Sequence, residues 1–195
     1  MRISLLLLMT VLLNVPNVFA DTTWQVAPGR TQIGFNVKHL VFMDVKGKFK
    51  DFEGSVISTD DSLKDASMAV RIDARSIYTG IADRDNHLIG EDFFFTEKYP
   101  EIVFKSTAVE PIAGDAERYK ITGDLTIRGV TRQIVLTAEC TAKKSLANGR
   151  TRIDLKAVGQ VNRFEYGLHW NELVEAGKAI VGEKVDLTLK IALLN

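Results

Sequence analysis

The chain has 195 residues, and its 25 basic and 25 acidic residues cancel, which leaves no basic field of the kind that holds nucleic acid. This length suits one domain, which buries roughly 70% of the surface that the unfolded chain exposes. The single cysteine, Cys140, has no second cysteine to form an internal disulfide, so the fold has to rest on its apolar core.

The amino-terminal residues 1–20 have the features of an export signal. Arg2 precedes a short apolar run, and Val18-Phe19-Ala20 ends the segment with the small residues that a signal peptidase reads. We therefore predict cleavage before Asp21, a single mature domain over residues 21–195, and the bacterial periplasm as the compartment. Because Arg2 is the only charge before the apolar run, an uncleaved amino-terminal anchor stays open as the alternative.

After the signal, the dominant hydrophobic period is two, which is typical of half-buried β-strands. Ile33, Phe35 and Val37 alternate in the first long strand. The apolar parity then changes between Phe49 and Phe52, which predicts a bulge or sharp coil in a long strand. Later runs with one apolar face cover residues 68–72, 102–104, 119–127, 134–140, 153–161 and 185–193. The pattern predicts seven or eight strands.

The segments between these runs carry turn and helix signals. Gly114-Asp115, Arg128-Gly129 and Asn148-Gly149 have turn chemistry, and the last pair predicts a two-residue hairpin in an antiparallel sheet. Residues 80–89 lack alternation and favour a short helix across one end. Residues 162–172 mix aromatic and hydrogen-bonding side chains and are a candidate for the lining of an opening.

One-sided strands with little helix must bury their apolar faces against one another, as a barrel or a sandwich. An eight-stranded barrel is near the size at which the interior either fills with side chains or holds one elongated ligand. Small residues on the predicted inner faces favour a groove with apolar walls; they are Gly47, Gly123, Ala138, Cys140, Ala157 and Gly159. A packed interior with the glycines at bulges is the alternative that the pattern leaves open.

A series of short segments spans nearly all of residues 21–195. They include Trp24, Phe-Asn-Val-Lys-His-Leu at 35–40, Arg-Asp-Asn-His-Leu at 84–88 and Asn-Arg-Phe-Glu-Tyr-Gly-Leu at 162–168, with residues 45–54, 76–80, 92–94, 99–107 and 123–132 between them. In this order they resemble the YceI family of lipid-binding, lipocalin-like proteins. Ala27-Pro28-Gly29-Arg30 departs from that family's Asp-Pro-Xaa-His pattern at the entry to the first strand.

The resemblance implies an all-β fold: an extended eight-stranded antiparallel lipocalin-like β-barrel whose long pocket holds a polyisoprenoid or related amphiphile. Together with the strand pattern, it gives two groups of candidate ligand-binding residues. The apolar candidates are Phe35, Val37, Phe49, Leu88, Phe93, Phe104, Leu125, Leu136 and Leu187. The candidates near the lipid head group or the mouth are His39, Arg84, His87, Asn162, Arg163, Phe164 and Trp170.

Several candidates have a plainer structural interpretation. Arg84 and Arg163 carry the planar donor fork that binds phosphate, but Arg84 could instead fix the helix over the barrel, and Arg163 with Asn162 could cap a turn. Aromatic side chains near a barrel end often simply plug it. Lys46, Lys48 and Lys50 alternate on one face, which indicates either a solvated surface or contact with an anionic membrane.

Neither a cofactor nor a metal is predicted, since the three histidines His39, His87 and His169 are not paired at metal-ligand spacing. No nucleophile elbow, phosphate loop or zinc-protease motif is present. The first hypothesis is therefore a periplasmic carrier of an isoprenoid or fatty amphiphile, not an enzyme.

Two hypotheses from other classes stay open. One is an enzyme acting on such a lipid with His87 or His169 as general base. The other is an accessory module for a membrane redox protein of the cytochrome b561-like kind, docking through the barrel surface. A homodimer is left open, and a nucleic-acid partner is not expected.

Overall fold

The computed structural model describes residues 21–39, 43–59, 62–147, 149–170 and 181–195. The predicted export signal lies outside these ranges. The described residues form eleven strands and one α-helix: β1 (Thr22–Val26), β2 (Gln32–His39), β3 (Met43–Phe49), β4 (Phe52–Ser58), β5 (Ser67–Asp73), β6 (Ile77–Tyr78), α1 (Ala82–Ile89), β7 (Glu101–Ile112), β8 (Asp115–Ile127), β9 (Val130–Ser145), β10 (Thr151–Asn162) and β11 (Val181–Leu194). Three short 3-10 helices cover Pro28–Arg30, Ala74–Ser76 and Arg163–Tyr166.

All strand pairings are antiparallel, and they close into a ring. The order of pairing runs β1-β4-β5-β7-β8-β9-β10-β11, and β11 returns to β1 through Gln25 with Leu194 and Val26 with Leu193. Over residues 181–190, β11 pairs instead with β2. In turn β2 pairs with β3, and β3 pairs with β6. Thus β1 with β2, β3 with β4, and β5 with β6 are halves of three bent strands. The result is a closed eight-stranded up-and-down barrel, which confirms the predicted fold class.

The three bent strands break next to one another. Phe49 ends β3 and Phe52 begins β4, so the predicted change of parity is a real break in the strand. The Lys50 amide donates to the Ser76 carbonyl at 3.1 Å, and the Asp73 amide donates to the Asp51 carbonyl at 2.9 Å. Backbone bonds therefore cross from one break to the next, so the adjacent strands bend together.

Two hairpin predictions have different outcomes. Arg128 and Gly129 join β8 to β9 with φ angles of 50° and 74°, the left-handed pair that a two-residue hairpin requires. The prediction for Asn148-Gly149 is wrong, because the last pair of β9 and β10 is Ser145 with Thr151, which leaves five positions in the connection. Asn148 itself lies outside the described residues. The start of β10 is bonded to Asn195 at the chain end, through the Thr151 amide and the Arg150 side chain.

The predicted short helix is present as α1. The Asp85 carboxylate accepts hydrogen bonds from the amide and hydroxyl of Thr79 at 2.8 and 2.5 Å, which ties the helix to the segment after β6. Nothing among the described helices is long and apolar enough to cross a membrane.

Candidate functional site

The interior of the barrel contains a cavity of about 230 Å³. Every strand contributes to its wall, and the 34 described lining residues include two with a hydrogen-bond donor on the side chain, Arg163 and Tyr166. The alternative of a fully packed interior is therefore wrong. Because water would find few polar partners on this wall, the cavity is suited to an apolar chain.

The alternation of apolar residues identified much of this wall. Ten of the sixteen candidate residues line the cavity: Phe35, Val37, Phe49, Leu88, Phe93, Phe104, Leu125, Leu136, Arg163 and Leu187. Leu88 comes from α1 and Phe93 from the segment after it, so this connection covers part of the cavity. That these ten residues contact a ligand stays a prediction.

Small residues shape the wall in a way that the sequence pattern did not show. A Cβ atom at Gly47 would overlap the ring of Phe35, and one at Gly123 would lie 2.5 Å from the ring of Phe104. Both phenyl rings therefore lie over glycine backbone on a neighbouring strand. In this position they coat the wall while leaving space at the centre of the barrel.

Arg163 is the charged residue of the described cavity wall, and its side chain is 4% exposed. Its Nε donates to the Gly182 carbonyl at 2.9 Å, and its two terminal nitrogens donate to the carbonyls of Leu168, Trp170 and Val181. Burial lowers the pKa of the guanidinium, and the charge of Glu183 opposes that shift. The structure thus shows the plainer role for Arg163, which ties the segment after the 3-10 helix to β11.

Tyr166 is the second polar residue of the described wall. Its side chain is 1% exposed, and its hydroxyl has no hydrogen-bond partner among the described residues. Burial raises the pKa of the phenol to about 12, with Glu165 adding to the shift and Arg132 opposing it. The phenol is consequently a protonated donor at neutral pH.

Arg84 and His87 lie on α1 and do not line the cavity. Arg84 donates to the hydroxyl and the carbonyl of Thr79 at 2.7 and 2.9 Å, which fixes the helix. The Nε2 atom of His87 lies 3.1 Å from a carboxylate oxygen of Asp92, and its ring meets those of Phe93 and Trp170 edge-on at 5.0 Å. A ligand contact for these two residues stays a prediction.

Asn162, Phe164 and Trp170 lie near the same end of the barrel and are not among the residues that line the cavity. Asn162 accepts a hydrogen bond from the Phe164 amide at 3.0 Å, so it caps the 3-10 helix. The Phe164 ring lies 4.6 Å from the guanidinium carbon of Arg163, and the Trp170 ring packs on Phe93. His39 ends β2, and its side chain lies outside the described part of the chain, as do residues 171 and 172.

A second cavity, of about 390 Å³, has a mixed polar and apolar lining that includes Glu117, Tyr119, Cys140 and Ile153. Cys140, which the sequence placed on a predicted inner face, is half-buried in this second cavity, and burial raises the pKa of its thiol. Within the described ranges, no group of three His, Cys, Asp or Glu side chains is placed to hold a metal ion.

The family profile for the YceI-like domain matches residues 24–193, nearly the whole described chain. The chain belongs to the YceI family. A UPF0312 protein of Photorhabdus laumondii is 37% identical over 156 residues, covering 80% of each chain. Among solved structures, the YceI protein of Campylobacter jejuni is 31% identical with a TM-score of 0.68, covering 80% of this chain and 87% of that one.

A more distant YceI-like fold extends the comparison. The polyisoprenoid-binding domain from Saccharophagus degradans, implicated in plant cell wall breakdown, is 14% identical with a TM-score of 0.62, and the match covers 87% of this chain and 97% of that domain. At this identity the likeness concerns the fold alone.

Sequence reasoning missed other wall residues that share the same parity. Ile121, Ile127, Leu155 and Val161 line the cavity, and each lies on a run whose inward face was identified but not fully assigned to the site. The unpaired state of the Tyr166 hydroxyl had no sequence signal, because it depends on how the 3-10 helix meets the strands around it.

Proposed function

We propose that this YceI family member is a periplasmic carrier or sequestering protein that encloses the chain of a polyisoprenoid or a similar long-chain amphiphilic lipid. The observation that carries the proposal is the apolar cavity, whose wall is built by every strand of the barrel. The polyisoprenoid-binding domain of S. degradans has the same fold, which supports the same ligand class here.

Affinity should come mainly from removing the lipid chain from water. Each buried methylene-sized group contributes about 0.8 kcal/mol, so one five-carbon isoprene unit contributes a few kcal/mol before the cost of ordering the chain. Affinity should therefore rise with chain length until the cavity is full. The role is transfer of an unchanged molecule, so lipid recovered from the protein should have its original mass.

The test is native mass spectrometry on protein isolated from the periplasm of the expressing cell. The expected protein mass is that of a chain that begins at Asp21. We expect either a bound lipid or uptake of added farnesol, geranylgeraniol and solanesol, with affinity increasing in that order. A folded protein that contains no lipid and takes none up would overturn the proposal. A chemically changed product would instead indicate an enzyme.

Two matched tryptophan variants locate the binding to the cavity. Leu136 points inward and Val135, its neighbour on β9, is 48% exposed on the outer face. In Leu136→Trp the larger ring occupies the lumen, so we expect at least about a tenfold loss of affinity for geranylgeraniol. Val135→Trp should retain the affinity of the unmodified protein. Equal affinity in both variants would place the lipid elsewhere, provided that circular dichroism shows both to be folded.

A further inference from the structure

The second cavity begins where the apolar cavity proposed to hold lipid, called the lipid cavity below, ends. On three neighbouring strands, one inward residue lines the lipid cavity and the next lines the second cavity; the pairs are Ile121 and Tyr119 on β8, Ala138 and Cys140 on β9, and Leu155 and Ile153 on β10. Tyr119 is paired with Ala138 across the sheet, and Cys140 is paired with Leu155. The boundary between the two cavities therefore crosses these strands at one level of the barrel.

A layer of packed side chains closes the barrel at this level. Leu63, from the connection between β4 and β5, lines the second cavity together with Tyr119 and Ile153, and each of the three is at most 7% exposed. Trp24 and Val109 are also buried and line neither of the two cavities. All five belong to one hydrophobic cluster. We call Leu63, Tyr119 and Ile153 the floor of the lipid cavity.

The two ends of the lipid cavity differ in polarity. Polar side chains gather near α1, where Arg84 and His87 lie on the helix and Asn162 ends β10. Ile153 lies near the start of β10 and so marks the opposite end, which the floor closes with mainly apolar side chains. A hydrocarbon end needs no hydrogen-bond partner, whereas a lipid oxygen does. The hydrocarbon end of an amphiphile should therefore point toward the floor.

We propose that Leu63, Tyr119 and Ile153 set the length of lipid chain that the barrel encloses, by stopping the hydrocarbon end before it reaches the second cavity. This inference rests on the proposed lipid-binding function. Beyond the floor the lining includes Glu117 and Lys143, so the same three side chains also separate the apolar cavity from a more polar one. A lipid longer than the lipid cavity leaves its surplus units outside, where they contribute little to affinity.

The test opens the floor and compares a short lipid, farnesol, with a much longer one, solanesol. In Tyr119→Ala the end of solanesol gains access to the second cavity, of about 390 Å³. Burial of about two further methylene-sized groups corresponds to about a tenfold gain in affinity. We therefore expect the ratio of solanesol to farnesol affinity, read by native mass spectrometry, to rise about tenfold. Ile153→Ala should raise the same ratio and replaces Tyr119→Ala if that variant does not fold.

Two control variants separate an opened floor from a loosened core. Tyr119→Phe keeps the ring in place, and Val109→Ala shortens a buried side chain that lines neither cavity. Both should retain the affinity ratio of the unmodified protein. The inference is overturned if a folded Tyr119→Ala or Ile153→Ala variant keeps the original ratio, or if Val109→Ala raises it equally.

Photocrosslinking of the unmodified protein gives a readout that does not depend on any core variant. The probe is a geranylgeraniol analogue with a diazirine at its hydrocarbon end, and the adducts are mapped by mass spectrometry. We expect adducts on Tyr119, Ile153 or the adjoining wall residues. A bound probe that instead labels Cys140, beyond the floor, or Leu88 and Phe93, near α1, or that labels nothing near the floor, would overturn the inference.

The outcomes for the two proposals are distinct. If the folded, unmodified protein takes up neither farnesol nor solanesol, the lipid-binding proposal fails and the role of the floor fails with it. If it takes up both, but the variants and the crosslinks give the contrary results above, lipid binding stands and only the role of Leu63, Tyr119 and Ile153 fails.

Discussion

At the scale of single residues, the barrel keeps its interior open by placing rings over glycines. Phe35 on β2 is paired across the sheet with Gly47 on β3, and its ring occupies the position that a side chain at Gly47 would take. The Phe104 ring on β7 likewise covers Gly123 on β8, although the register partner of Phe104 is Leu125. A glycine in a strand weakens the strand locally, but here it accommodates a side chain from the neighbouring strand.

This arrangement predicts the effect of Gly47→Ala. The added methyl group would overlap the Phe35 ring, which has to swing away from the wall and into the cavity. We expect a loss of about 1–3 kcal/mol in the free energy of unfolding, as is usual for overpacking, and a reduced affinity for geranylgeraniol. Denaturant titration and native mass spectrometry measure the two effects.

Gly29→Ala is the control for Gly47→Ala, because a Cβ atom at Gly29 would meet nothing within 4 Å. It should change the free energy of unfolding by no more than about 0.5 kcal/mol and leave lipid binding intact. If Gly47→Ala retains both full stability and full affinity, the ring is free to move without entering the cavity, and this account of the wall is wrong.

At the scale of elements, the 3-10 helix Ala74–Ser76 makes the bend between β5 and β6. Asp73 caps it: one carboxylate oxygen accepts from the Arg75 amide at 2.9 Å and from its Nε at 3.0 Å, and the other accepts from a terminal nitrogen of Arg75 at 2.9 Å. The side-chain hydrogen bond from Arg75 holds the pKa of Asp73 below its usual value, while partial burial opposes this shift.

We predict that Asp73→Ala lowers the free energy of unfolding by about 1 kcal/mol at pH 7, the usual cost of losing a capping side chain. Because the folded-state pKa lies below the ordinary value of 3.8, the charged cap stabilises the fold above that value. Its contribution is lost as the pH falls through the folded-state pKa. Urea titrations between pH 2 and 7 should therefore show the two proteins converging at the acid end.

Asp73→Asn serves as the matched variant, since an amide oxygen still caps the helix but carries no charge. It should lie between the unmodified protein and Asp73→Ala at pH 7. A difference between the unmodified protein and Asp73→Ala that stays constant from pH 2 to pH 7 would contradict the assigned role of the ionised carboxylate.

The sequence predicted those elements whose position shows in the hydrophobic pattern of a single strand. The alternation from Val185 to Leu193 identified the inner face of β11, and the change of parity after Phe49 located the strand break. The connection of β9 and β10 could not be read in this way. The pair Asn148-Gly149 favours a tight turn locally, whereas the start of β10 is also bonded to Asn195 at the distant chain end.

The site was predictable to the extent that it lies on strands. Phe104, Leu125 and Leu136 follow from parity alone, because inward residues of a closed barrel share one interior. The polar end was not predictable. Arg84 and Arg163 each had a binding and a structural interpretation, and only the positions of the Thr79 hydroxyl and of four backbone carbonyls show which bonds they make.

At the scale of the whole molecule, charge is balanced in total but uneven on the barrel surface. The chain has no formal net charge, yet Lys46 and Lys48 on β3 and Lys50 directly after it are all exposed. The ammonium group of Lys50 lies 3.8 Å from the centre of the Tyr78 ring, which is itself 42% exposed. Cationic and aromatic groups together are typical of surfaces that meet the head-group region of a membrane.

A carrier without net charge that collects lipid from an anionic membrane would need such a local basic surface. We therefore predict that the triple variant Lys46→Glu/Lys48→Glu/Lys50→Glu binds more weakly to vesicles of phosphatidylcholine with 30% phosphatidylglycerol. Each lysine near the surface contributes about 1 kcal/mol, so at low salt the loss of three should be on the order of a hundredfold in affinity. Co-sedimentation measures it, and 0.5 M salt should weaken binding of the unmodified protein by screening.

The control reverses three exposed lysines on other strands, Lys105, Lys120 and Lys144, which gives the same change in net charge. If binding depends on the β3 face, this control variant should retain most of the affinity of the unmodified protein for the anionic vesicles. Equal losses in the two triple variants would mean that net charge alone determines the interaction. Pure phosphatidylcholine vesicles complete the comparison, because they should bind all three proteins equally weakly if attraction to anionic head groups drives docking.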